Sequence, residues 1–131
     1  MIKRVLISAF FVLLMLGTPA FANEEIIEVT ADQLLADYLN NELAADQKYK
    51  GKLLLVGGEV DRIANDITGK PYVTLKGKDL VRRVQCTFPE TMIEKLTKLN
   101  KGDTVRFRGK CKGLMGNVLL TFVEKPADSE K

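Results

Sequence analysis

Downstream of Gly51 the chain changes its hydrophobic period, and the order of elements that follows leaves few folds open. Leu53 to Val56, Val60 and Ile63 are β-type residues interrupted by Gly57-Gly58, where absent side chains let one long strand bend or bulge. Turn residues at Asn65-Asp66 and from Thr68 to Pro71 lead into a second strand, Tyr72 to Leu75, and Lys76 to Asp79 turn again into a third, Leu80 to Phe88. Pro89 suits the first turn of a helix, where its missing N–H has no partner to lose; Met92, Ile93, Leu96 and Leu99 follow at helical spacing and Gly102 ends the run. Thr104 to Lys112 alternates as a fourth strand, Gly113 to Asn117 turn, and Val118 to Val123 make a fifth. Three strands, a helix and two strands in so short a span are the order of a mainly β, five-stranded OB-fold Greek-key barrel. The same periodicities also permit an open antiparallel sheet with both helices on one face.

Ahead of this unit the chain predicts a helix with its own start signal. Thr30 is followed three residues later by Gln33, with Val29 and Leu34 in the flanking apolar positions, so a capping box should open the helix near Ala31. Leu34, Leu35, Tyr38, Leu39, Leu43, Ala45 and Tyr49 form one broad apolar stripe that needs a partner surface. The first residues read as a secretory signal: Lys3 and Arg4 are followed by an apolar run from Val5 to Leu16, helix breakers at Gly17 and Pro19, and small residues for cleavage after Ala22. The run is shorter than the roughly 18 to 20 residues that span a bilayer, which favours cleavage over an uncleaved anchor. The division expected is a signal over 1–22, an acidic helix over 23–50 packed on the barrel, the barrel over 51–124 and a disordered polar tail over 125–131, with a periplasmic or secreted location.

Charge is unevenly spread. Residues 23–47 carry seven acids and no base, while the rest of the exported chain carries 18 bases against ten acids. An acidic helix lying on a basic barrel would neutralise this asymmetry internally.

The residues Val29-Thr30-Ala31, Tyr38, Asn41-Glu42, Ala45-Asp46, Tyr49 to Lys52, Val84 to Phe88, Lys101 to Asp103, and Gly109-Lys110-Cys111 with Gly113 together resemble the tRNA_anti-like family of exported OB-fold proteins. The resemblance implies the barrel and an envelope setting. It does not imply tRNA binding, because the family name records likeness to anticodon-binding OB domains and no common ligand travels with it.

Several chemistries are excluded by residue type. The chain has no histidine, which removes His-containing hydrolase triads and every His-ligated metal site. Gly51-Lys52 and Gly109-Lys110 are followed by Leu and Cys rather than by Ser or Thr, so neither is a P-loop. Nothing in the sequence calls for a cofactor, a metal or an enzyme. Cys86 and Cys111 both fall on the core phase of their strands; in an oxidising compartment the pair predicts a disulfide, with two buried free thiols as the alternative.

The binding residues predicted are basic. Arg106, Arg108, Lys110 and Lys112 share the outward phase of the fourth strand, Arg82 and Arg83 lie at the third, and Tyr72 on the second is the one aromatic placed to act as a platform. The expected function is a non-catalytic binding module for an envelope protein, an oligosaccharide or another anionic envelope component. Nucleic acid is the alternative ligand, weakened by the scarcity of exposed aromatics for base stacking.

Overall fold

The computed structural model describes residues 25–124; the expected cleavage after Ala22 and the polar tail lie outside them. Six strands are present: β1 (Ile26–Thr30), β2 (Leu53–Asn65), β3 (Pro71–Lys76), β4 (Arg83–Thr87), β5 (Thr104–Met115) and β6 (Asn117–Phe122). Two helices, α1 (Ala31–Asn40) and α2 (Glu42–Tyr49), separate β1 from β2. A 3₁₀ turn (Glu90–Met92) running into the short α3 (Ile93–Leu96) separates β4 from β5. The sheet order is β1-β2-β3-β4-β6-β5, and a further β2–β5 pairing closes β2 to β6 into a barrel. That closure, with the parallel β4–β6 pair, is the OB arrangement and rules out the open sheet.

Closure depends on β2 serving two neighbours along its length. Leu53 to Glu59 pair with β5, and Glu59 to Asn65 pair with β3. Just before the partners change, at Gly57-Gly58, backbone and side chains crowd: a Cβ on Gly58 would stand 2.9 Å from Ala31 Cβ and 3.3 Å from Leu75 Cβ. Asp61 is the extra residue of a bulge farther along, between Val60 and Arg62.

The N-terminal segment differs from the single helix expected. Ile26 to Thr30 form a parallel strand beside Leu53 to Gly57, so the barrel sheet carries a sixth strand. The helix then breaks at Asn41, whose backbone is extended and whose side chain accepts from Ala44 N to start α2. Thr30 caps α1 as predicted, accepting from Gln33 N at 3.0 Å. Gln33 does not complete the reciprocal box, because its amide turns down the helix to donate to Asp37 Oδ1 at 2.8 Å.

Both helices belong to the barrel core. Ala31, Leu34, Leu35, Tyr38, Ala45 and Tyr49 are buried in one cluster with Leu54, Val56, Val60, Val73, Leu75, Val84, Val118 and Leu120. Phe88 packs edge-on against Phe107 and tilted against Phe122, and Leu96 completes the floor.

Three boundaries move. The third strand of the barrel begins at Arg83 rather than Leu80, and Leu80 and Val81 stand in an exposed loop. β5 runs on to Met115, so the turn predicted at Gly113 to Asn117 shrinks to a hairpin at Gly116. Pro89 caps its helix from an extended conformation instead of lying in the first turn.

Cys86 and Cys111 are free and fully buried, which corrects the disulfide. Leu120 on β6 pairs with Cys86 on one side and with Cys111 on the other. Two strand spacings put the cysteine backbones about 9 to 10 Å apart, beyond the roughly 7 Å a bridge tolerates. Thiol titration of the denatured protein without reductant is expected to find two thiols; a titre near zero would restore the bridge.

Candidate functional site: an acid-free wall of the barrel

The four strands β3, β4, β6 and β5 hold no Asp or Glu, and they carry six bases: Lys76, Arg83, Arg106, Arg108, Lys110 and Lys112. Strand alternation puts Val73, Leu75, Val84, Cys86, Val118 and Leu120 inside, so the outer surface of these strands is built from the other phase. One row runs across the register from Tyr72 on β3 through Thr87 and Thr121 to Lys110 on β5. At about 4.8 Å per strand this row spans roughly 14 Å of curved surface. The adjacent row is Arg62, Thr74, Gln85 and Leu119. Together they offer one aromatic ring, hydroxyls, an amide and cations, with no carboxylate among them.

Polar groups on this wall are partly organised. Asn117 donates to Gln85 Oε1 at 3.1 Å and accepts from Arg83 N at 2.9 Å, which fixes the Gln85 amide. Thr74 is only 5% exposed, and its hydroxyl oxygen has no hydrogen-bond partner in the protein.

The predicted cations fall into different roles. Arg83 is half-buried and internal: Nε donates to Asp61 Oδ2 at 3.0 Å, and Nη1 donates to the carbonyls of Asp79 and Arg82. Arg106 is exposed and pairs with Glu28 of β1 at 3.0 Å. Arg108 and Lys110 are half-exposed beside it, whereas Lys112 is the extra residue of a bulge between Cys111 and Gly113 and stands outside the ladder. Arg82 lies in the loop before β4. Tyr72 is partly exposed on β3, as a platform requires.

The carboxylates of the helices that the structure pairs are turned to other work. Asp37 accepts from Tyr49, Asp46 accepts from Tyr38 at 2.9 Å, and Asp32 accepts from the backbone N–H of Lys78. It is therefore β1, through Glu28, that answers Arg106. Residues that sequence reasoning missed are Arg62, Gln85, Thr87 and Thr121. The alternation Arg83-Val84-Gln85-Cys86-Thr87 carried the signal for two of them, but uncharged polar residues on a strand also read as ordinary solvated surface.

Beside the wall lies a groove of about 820 Å³ over Gly57-Gly58 of β2, lined by Glu28, Leu55, Gly57, Lys76 and Arg106 among others. A smaller hollow of about 300 Å³ shares Leu55 and Arg106 and adds Arg108. The basic edge of the wall thus borders a recess with an apolar floor.

The buried titratable groups sit elsewhere, beneath the helices. Burial, followed by its bonds to Cys111 and Asp46, pushes the Tyr38 hydroxyl well above its ordinary value, and burial followed by the Asp37 bond does the same for Tyr49. Burial pushes the Cys86 thiol up to about 12 and raises Cys111 as well. Groups whose folded pKa is raised stabilise the fold below their unfolded values, about 8.5 for Cys and 10 for Tyr, and lose that contribution as pH climbs toward the folded values. The melting temperature is therefore expected to fall steadily from about pH 9 upward, and Cys86→Val should make the fall between about pH 9 and 10 shallower, with Cys111 and the tyrosines supplying what remains. Asp37 is held below the usual carboxylate range, chiefly by the Tyr49 hydroxyl, so its contribution is present above about pH 4 and is lost in more acid solution.

The family model for tRNA_anti-like matches residues 7–122. The chain belongs to the tRNA_anti-like family. No curated protein matches it by sequence. Among solved structures, one described as a "putative nucleic acid-binding lipoprotein from Klebsiella pneumoniae" aligns at a TM-score of 0.57 with 21% identity, covering 74% of this chain and 92% of that one. Another, OBody AM3L09 bound to hen egg-white lysozyme, aligns at 0.48 with 17% identity, covering 59% of this chain and 81% of that one. For this tRNA_anti-like chain the likeness to the Klebsiella structure agrees with the OB barrel, and its ligand has to be argued from its own surface.

Proposed function

We propose that the protein is an exported, non-catalytic binding module of the bacterial envelope, periplasmic or secreted, that holds an anionic oligosaccharide across the outer wall of β3, β4, β6 and β5. The observation that carries this reading is the absence of any carboxylate on four successive strands that carry six bases. An anionic chain lying there meets cations, hydroxyls and the Gln85 amide, with the carboxylates Glu28, Glu59 and Asp61 confined to β1 and β2 at the border, where they pair with Arg106, Lys76 and Arg83. A single aromatic, Tyr72, suits stacking on one sugar ring. Export follows from the basic, apolar and small-residue order of the first 22 residues.

A second reading, binding of single-stranded nucleic acid, is favoured by Tyr72 lying one row from Arg62 and by the description of the Klebsiella structure. OB barrels that bind such strands combine a basic groove with several stacking aromatics, and this wall supplies one. The two readings separate on immobilised polyuronate and on an immobilised single-stranded oligonucleotide, each eluted with a salt gradient. The glycan reading expects later elution from polyuronate. Later elution from the oligonucleotide, with a steep salt dependence, selects the second reading, and no retention on either at low salt removes both.

A further inference from the structure

The loop between β3 and β4 presents Leu80 and Val81 at 88% and 82% exposure, the two adjacent large apolar side chains that the barrel leaves outside. The loop is braced rather than slack. At its start, Lys78 N donates to Asp32 Oδ1 at 2.7 Å, and Gly77 packs so closely on α1 that a Cβ would stand 2.9 Å from the Asp32 Cα. At its end, Arg82 N donates to Asp79 Oδ2 at 2.7 Å, and Arg83 ties Asp79, Arg82 and Asp61 together with its guanidinium. A hydrogen bond from Arg83 N to Asn117 places the β5–β6 hairpin alongside, and that hairpin exposes a third apolar side chain, Met115, at 71%.

Several bonds thus hold an apolar tip out in water, where it gains nothing for the fold. The most exposed charged side chain at the tip is a cation. Lys78 and Arg82 flank Leu80-Val81 in sequence, and the Lys78 side chain is 92% exposed with a loose 3.8 Å contact to Asp32. The one acid inside the loop, Asp79, faces the backbone of Arg82. An apolar tip flanked by an exposed Lys78 and a partly exposed Arg82 matches an anionic lipid surface, where the side chains enter the headgroup and acyl boundary and the cations meet phosphates. A protein partner would have to supply an apolar pocket ringed by acids to match as well.

We propose that Leu80, Val81 and Met115, with Lys78 and Arg82, form a docking tip for anionic phospholipid headgroups. The tip's side chains Lys78, Leu80, Val81, Arg82 and Met115 are not among those that face the proposed ligand of the wall, so either binding can fail without the other.

The chain has no tryptophan, so Val81→Trp makes a single reporter placed in the tip itself. With vesicles containing phosphatidylglycerol, the full chain carrying Val81→Trp is expected to show blue-shifted emission quenched by brominated acyl chains. Reversing Lys78 and Arg82 to Glu should weaken this response by about tenfold or more at low salt. Ile67→Trp, on a fully exposed loop between β2 and β3, carries the same N-terminal apolar run and should stay unshifted. Leu80→Trp repeats the measurement should Val81→Trp disturb folding. An unshifted tip reporter, an equal shift at position 67, or an equal response to purely zwitterionic vesicles overturns the proposal.

Discussion

Leu34→Ala is expected to cost about 3 kcal/mol of stability and to lower the melting temperature by roughly 12 to 20 °C. Leu34 has no exposed surface, and it lies on α1 in the same cluster as the inward residues of the barrel strands. Truncation removes buried methyl groups and leaves a cavity between helix and strands that rigid strands close poorly. A helix merely resting on a finished barrel would lose far less, because surface substitutions usually change stability by under about 0.5 kcal/mol. The two helices are also locked to each other. Tyr38 reaches Asp46, Tyr49 reaches Asp37, and the rings stack with centroids 6.2 Å apart. Thermal unfolding followed by circular dichroism checks the prediction, and a drop of only 2 or 3 °C would mean that α1 is an appendage.

Gly109→Ala should be comparably severe for the opposite reason, overfilling instead of emptying. A Cβ at position 109 would stand 2.9 Å from the carbonyl oxygen of Thr121 and 3.2 Å from Leu120 Cβ. The nearer obstacle is backbone in a paired strand, so it has no rotamer through which to yield. Gly109 pairs with both Leu54 and Phe122, so β5 would have to shift against β2 and β6 at once. Overpacking of this kind costs about 1 to 3 kcal/mol, and closure of the barrel places this case toward the upper end. Denaturant unfolding should show a lower midpoint, and Gly116→Ala is a useful contrast. Its Cβ meets nothing within 4 Å, so it pays only for its positive φ of 76°.

The barrel was legible because each strand has its own alternation and its own turn residues. Val105, Phe107 and Cys111 set against Arg106, Arg108 and Lys110 could be read in one phase only. β1 was not legible: Ile26 to Thr30 is five residues long and its parallel partner lies more than twenty residues away, so nothing local marks it as a strand. Asn41 was legible in principle, since Asn is a good helix N-cap, but an apolar stripe that continued past it masked the break. Leu80 and Val81 have strand propensity and were read into the third strand. The Asp79 and Arg83 bonds that hold them in a loop are tertiary and leave no periodic trace. The cysteines show the same limit, since both were rightly placed inward and only the strand order reveals Leu120 between them.

The wall was half visible. Its cations stood out, yet the property that defines it, four strands without a carboxylate, appears only once β3, β4, β6 and β5 are known to be neighbours. Sequence order also gave no sign that Arg83 is consumed by Asp61 and Asp79, or that Glu28 would come from a separate strand to meet Arg106.

Reversing the charge of this wall while leaving the fold intact decides whether it attracts an anionic ligand. Arg106→Glu with Arg108→Glu, two exposed or half-exposed positions on β5, should leave the melting temperature within a few degrees of the parent. Retention on polyuronate at low ionic strength should then be lost, since two reversals place like charge where the ligand lies and no buried partner compensates. Elution of the doubly reversed protein at the same salt concentration as the parent would contradict the account.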